Sequence, residues 1–168
     1  MIKTQKINNA VYIGVIAPLI EKFFNRINKT GILHGISYET LYTYFTRIAQ
    51  YGGNASEFWV AFEDNKPVGF ASWRVMDVPH YGKVYCDYMF SLSNNKAVAT
   101  ELTKEYVAFG TKHKASFYMW DAINPTVAKV LKGVANRGSL EVKDTLVVNM
   151  IASKKKEVAN EDTHKNTD

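Results

Sequence analysis

The chain has 168 residues, 46% of them hydrophobic and 13% aromatic, which supports one folded domain with a substantial core and excludes global disorder. Lys and Arg number 21 against 16 Asp and Glu, a formal charge of +5, but the excess is scattered, so no basic face singles out nucleic acid as the partner. The single cysteine, Cys86, excludes an intramolecular disulfide and a cysteine-rich zinc site and points to a reducing compartment.

Ile2 to Ile7 alternates apolar and polar residues and predicts a first strand, stopped by Asn8-Asn9. From Ala10 to Ile27, Val11, Ile13, Ile16, Leu19, Ile20, Phe23, Phe24 and Ile27 recur at helical spacing, with Asn9 as cap and Pro18 set to kink or split the helix. This region holds the longest apolar run, Ala10 to Ile20. It is far short of the roughly 20 residues that cross a bilayer and lacks a secretory cleavage pattern, so no membrane partner and a soluble, cytoplasmic protein are expected.

Lys29 to Ile36 reads as a loop around Gly31 and Gly35. Ser37 then opens a helix with Leu41, Tyr44, Phe45, Ile48 and Ala49 on one face, and Gly52-Gly53 ends it. Glu57 to Glu63 and Val68 to Val75 flank the turn formers Asp64-Asn65-Lys66-Pro67, a hairpin. A further strand, Lys83 to Leu92, follows Pro79 and Gly82. Ser93 is the expected N-cap of a helix running to about Lys112, with Ala97, Val98, Leu102, Tyr106, Val107 and Phe109 turned inward. Ser116 to Asp121 reads as a strand, and Asn124-Pro125 opens a helix that Asn136-Arg137-Gly138 closes. A last hairpin spans Leu140 to Val142 and Leu146 to Ile151. The domain is expected over residues 1–152, and the polar stretch 153–168 reads as a disordered tail.

The order strand, helix, helix, three-strand meander, helix, strand, helix, strand pair resembles that of the GNAT superfamily of N-acetyltransferases. Residues 58–75, FWVAFEDNKPVGFASWRV, look like the family's central hairpin, where a turn is followed by Val-Gly-Phe and a small residue. Asp121 to Leu146 resembles its closing half. The resemblance implies an α/β (α+β) fold with a mixed, mostly antiparallel sheet flanked by helices. It also implies acetyl-CoA bound where the fourth and fifth strands part, and transfer of the acyl group to a small-molecule amine or a protein amino group.

The family's pyrophosphate loop, Gln/Arg-x-x-Gly-x-Gly/Ala, is matched in register by Asn94, Asn95, Lys96, Ala97, Val98 and Ala99. Alanine stands at both glycine positions, where its Cβ hinders close backbone approach, and Lys96 offers a compensating charge. Asn124 matches the family asparagine at the cofactor, and equally suits a helix N-cap. The position of the family's acid tyrosine falls near Leu131, which has no proton to give. These departures leave a second reading, a catalytically inactive GNAT-fold binding or assembly protein with a protein partner, for example from a bacteriophage.

Acyl transfer to an amine needs a proton acceptor and a donor to the thioester carbonyl. Asp87 and Tyr88 stand on the fourth strand, where such groups act in the family. Alternation along YCDYMF puts Tyr85, Asp87 and Met89 on one face and Cys86, Tyr88 and Phe90 on the other. An acid inside an aromatic strand needs a cleft or a cationic partner, so Asp87 is read either as a base or as half of an ion pair. His80, between Pro79 and Tyr81, offers a near-neutral pKa in a loop and is read as a second base or as a surface residue. His34, His113 and His164 have no metal-binding spacing. Cys86, Trp59, Trp73 and Trp120 read as core.

Overall fold

The computed structural model describes residues 1–29, 35–78 and 81–120, and Gly133. His80, Asn124, Leu131, the expected second-half helix, the closing hairpin and the tail lie outside the described residues.

Strand β1 (Ile2–Ile7) is followed by helices α1 (Ala10–Val15) and α2 (Ala17–Asn28). Asn9 Oδ1 accepts from the Val11 N–H and starts α1, and the break falls at Ile16, with Pro18 in the first turn of α2. Pro18 therefore splits the predicted helix, because its ring suits a first turn and not an interior. Ser37 Oγ accepts from the Thr40 N–H and opens α3 (Tyr38–Tyr51).

Strands β2 (Ser56–Glu63) and β3 (Lys66–Val78) are joined by Asp64 and Asn65 alone, with φ of 49° and 62°. Two successive positive φ angles between paired strands make a type I′ turn, whose twist matches that of the strands and which Asp and Asn tolerate. Lys66 and Pro67, expected in the turn, already belong to β3, and a register shift between Ala61 and Phe62 accommodates the proline.

Strand β4 (Tyr81–Ser91) leads through a short 3-10 turn, Leu92–Asn94, into α4 (Lys96–Lys112), and β5 (Ala115–Trp120) follows. The sheet order is β1-β2-β3-β4-β5, antiparallel except that β5 runs parallel to β4. Among the described residues no helix is long and apolar enough to cross a membrane.

The two faces of the sheet are covered differently. Phe58, Val60, Phe70 and Phe90 meet Ile20, Phe23 and Phe45 of α2 and α3 in one cluster. On the other face Ala61, Ala71, Trp73 and Cys86 meet Val98, Leu102, Tyr106 and Phe109 of α4. Small residues on this second face let α4 sit low on the sheet, and Gly69 marks the tightest approach. A Cβ there would stand 2.4 Å from Val98 Cγ1 and 2.7 Å from the Phe90 carbonyl oxygen. The backbone oxygen has nowhere to go, so Gly69→Ala is expected to cost roughly 1–3 kcal/mol by overpacking. The denaturation midpoint should fall with the slope unchanged; an unshifted midpoint would show that both α4 and the β4 backbone can give way.

Candidate functional site

Asp87 owes its position to a bulge. The pairing of β3 with β4 passes from Ser72↔Tyr88 to Trp73↔Cys86, which leaves Asp87 as the extra residue. A bulged residue interrupts the pleat, so the alternation of the strand changes phase there. Cys86 and Met89 accordingly pack toward α4, and Tyr88 and Phe90 toward α2 and α3. Asp87 reaches Tyr44 of α3, and so shares a face with Tyr88 and Phe90. This corrects the expected grouping of Asp87 with Met89, which assumed an unbroken strand.

The Asp87 side chain is only 5% exposed and both of its oxygens are engaged. Arg74 Nε, from β3, lies 3.0 Å from Oδ1, and the Tyr44 hydroxyl donates to Oδ2 at 2.6 Å. Burial raises the Asp87 carboxyl above its ordinary pKa, opposed by the Tyr44 hydrogen bond and by the Arg74 charge. The Tyr44 phenol is pushed far up, first by burial and then by the carboxylate it serves. Burial, followed by the Asp87 charge, also raises Tyr88, whose ring meets Phe23, Tyr44 and Phe45 edge-on.

The pairing of β4 with β5 lies alongside, and the last pair among the described residues, Cys86↔Trp120, is one residue before Asp87. Tyr106 of α4, 1% exposed, puts its hydroxyl between the two strands. The oxygen lies 2.7 Å from both the Val84 and the Met119 carbonyl oxygens and accepts from the Met119 N–H at 3.0 Å. A side chain thus bridges backbone groups of neighbouring, paired strands.

The segment expected to hold a pyrophosphate forms the entry to α4. Ser93 and Asn94 have φ of 54° and 51°, conformations that cannot continue into a helix, so the N-cap falls on Asn95 and not on Ser93. Asn95 Oδ1 accepts from the Ala97 N–H at 2.9 Å, and the first helical bond runs from the Ala99 N–H to the Asn95 carbonyl. The Lys96 and Val98 amides are left as first-turn donors without an intrahelical acceptor. Lys96 and Ala97 are exposed, Ala99 is half-buried, and the Val98 side chain is buried in the core. Ala97 therefore does not point inward as its spacing suggested. Arg26, from the last turn of α2, donates to Asn94 Oδ1 at 3.1 Å and to the Ser91 carbonyl at 3.3 Å, with its guanidinium 4.7 Å from the Phe90 ring centre.

Sequence reasoning selected Asp87, Tyr88 and residues 94–99, and the structure puts them on β4, the turn that leaves it and the first turn of α4. It missed Tyr44, Arg74, Tyr106 and Arg26. The signal for Tyr44 and Tyr106 was present, since a phenol on the buried face of a helix must find a partner for its hydroxyl. Cys86 is buried, as its core reading expected, with its thiol 3.8 Å from the Tyr88 carbonyl. The described residues hold no cluster of three His, Cys, Asp or Glu suited to a metal.

No family model matches the chain, and no curated protein matches it. Solved structures do. A predicted acetyltransferase with acetyl-CoA from Clostridium acetobutylicum superposes with TM-score 0.61 at 18% identity, over 86% of this chain and 92% of that one. An aminoglycoside acetyltransferase from an uncultured soil metagenomic sample, in complex with sisomicin, gives 0.59 at 16%, over 88% and 92%. The glucosamine-6-phosphate N-acetyltransferase of Arabidopsis thaliana gives 0.60 at 10%, over 80% and 90%. At such identities the likeness is one of fold, and the chain has the GNAT acetyltransferase fold.

The raised pKa of Asp87 has a consequence for stability. A carboxyl whose folded pKa exceeds its unfolded value binds its proton more tightly in the fold, so its contribution is full below the ordinary value of 3.8 and is lost as pH rises through the folded value. Asp87→Asn removes that loss. Melting temperatures of both proteins from pH 4 to pH 8 should show the wild type declining relative to the variant as pH rises. A wild type that instead gains on the variant would mean that the Arg74 pair outweighs burial.

Proposed function

We propose that the chain is an acetyl-CoA-dependent N-acyltransferase acting on an amine, either on a small molecule or on a protein. One observation carries this reading: the strand that leads into the start of α4 holds, at a bulge, a buried carboxylate with a raised pKa, gripped by Arg74 and Tyr44. A lone structural ion pair does not explain the bulge. The fold relatives support the class of reaction, as one is a complex with acetyl-CoA and another is a glucosamine-6-phosphate N-acetyltransferase.

Acetyl-CoA supplies an activated acyl thioester. The chain's part is to hold it, to orient the amine and to remove a proton. The free amides of Lys96 and Val98 and the exposed Lys96 ammonium suit a diphosphate at the start of α4, where unpaired donors and the helix dipole favour an anion. Ala97 and Ala99 limit the obstruction at that approach to one methyl group each. Asn94 and Asn95 hold the turn itself, the first through Arg26 and the second as cap. Asp87 is the proton acceptor, and its raised pKa brings it closer to the working pH than an ordinary aspartate. The Tyr88 hydroxyl is the donor to the thioester carbonyl. His80 serves as a second base at the acceptor side, and Asn124 as a cofactor contact.

Two measurements test this. Acetyl-CoA at about 100 times its dissociation constant should stabilise the native state by about 2.7 kcal/mol and raise the melting temperature accordingly. With a panel of amines, thiol release should be detectable, and Asp87→Asn should lower kcat/KM by roughly 10²–10⁴-fold. No shift at about a millimolar, the top of the usual KM range, would sink the enzyme reading. A shift without turnover would leave a binding protein.

A further inference from the structure

Asp87 is well placed to receive a proton and badly placed to collect one. Its side chain is 5% exposed, with one oxygen on Arg74 Nε and the other on the Tyr44 hydroxyl. Any proton that arrives there must pass a group between Asp87 and solvent. The charged or titratable groups that face it are Tyr44 from α3, Arg74 from β3 and Tyr88 from β4 itself. Arg74 is half-exposed, but a guanidinium is always protonated and has no acceptor atom, so it cannot relay. Tyr88 forms no hydrogen bond with Asp87 and feels it only electrostatically. Tyr44 is only partly buried, and its hydroxyl can accept one proton while giving up another.

We propose that Tyr44 is a catalytic proton shuttle between the acceptor amine and Asp87. In this step the ammonium N–H bond of the acceptor breaks and a new O–H bond forms on Tyr44 Oη, while the proton already on Oη moves 2.6 Å across the existing hydrogen bond to Asp87 Oδ2. The amine is left neutral and nucleophilic, Tyr44 returns to its neutral phenol, and Asp87 holds the proton. No net charge stays on the phenol, so its resistance to ionisation does not block the transfer. Arg74 keeps the carboxylate fixed and ionised while it waits. The inference rests on the acyltransferase reading and adds a residue from a different element of the fold.

Tyr44→Phe keeps the ring and its contacts with Phe45 and Tyr88 and removes only the hydroxyl. A merely structural hydrogen bond, once lost, would displace the Asp87 inflection in the pH profile of kcat/KM and leave the high-pH plateau intact. A lost shuttle lowers the plateau itself, by at least about tenfold on the scale of general acid-base catalysis. The expected result is therefore a lowered plateau with the acetyl-CoA-induced melting shift unchanged, and a retained plateau overturns the proposal. Should Tyr44→Phe fail to fold, a proton inventory on the wild type in mixed H2O and D2O decides the matter. Two protons in flight give a curved dependence of rate on deuterium fraction, and a straight line overturns the shuttle. A wild type active on amines with a retained Tyr44→Phe plateau refutes the shuttle alone, whereas a wild type inactive on every amine refutes the acyltransferase reading and the shuttle with it.

Discussion

The Tyr106 hydroxyl is the contact on which the geometry of the site depends. It draws α4 onto β4 and β5 and stands among the Val84 carbonyl, the Met119 carbonyl and the Met119 amide. Burying a tyrosine so completely is tolerable only because its one polar atom is satisfied several times over. Around it the second face of the sheet is built to let α4 descend, with Gly69, Ala61 and Ala71 in place of larger residues and Val98 seated against Gly69. The start of α4 and the pairing of β4 with β5 are therefore positioned by one packing arrangement.

Asp87 is the opposite kind of feature, a group that the fold holds at a cost. Two favourable contacts, with Arg74 and Tyr44, do not fully offset the loss of water, and its pKa stays above the ordinary value. Glu57 shows what a settled buried carboxylate looks like in the same sheet. Burial opposes its ionisation too, yet bonds from Lys6 at 2.7 Å and Trp59 Nε1 at 2.8 Å hold its pKa below the usual range. One sheet thus carries a carboxylate tuned for permanence and another left ready to take up a proton.

Periodic features of the fold were legible in the sequence and aperiodic ones were not. Alternation in β1 and the helical spacing of α2 and α3 reflect burial of one face, and burial writes itself into composition. Asp64 and Asn65 announced a turn because few other residues accept two positive φ angles. The bulge at Asp87 left no mark, since an inserted residue looks like any other until its partner strand is known. Alternation beyond it was therefore assigned to the wrong faces. The cap of α4 was misread because Ser93 and Asn95 are both good caps, and the left-handed backbone of Ser93 and Asn94 decides between them. Tyr44 was read as part of an apolar stripe because its partner is 43 residues away. A site assembled from three elements is invisible to any window along one of them.

Arg26 ties the helical layer to the entry of α4. Its guanidinium lies over Phe90 in the core cluster while one nitrogen, Nη1, donates to both the Ser91 carbonyl and Asn94 Oδ1. An anion settling on the first turn of α4 would meet a cation already committed to the neighbouring turn, and the two would share one electrostatic field. The end of α2 would then feel the occupant through a single side chain, which makes this arginine a mechanical joint between the layer that covers one face of the sheet and the helix that covers the other.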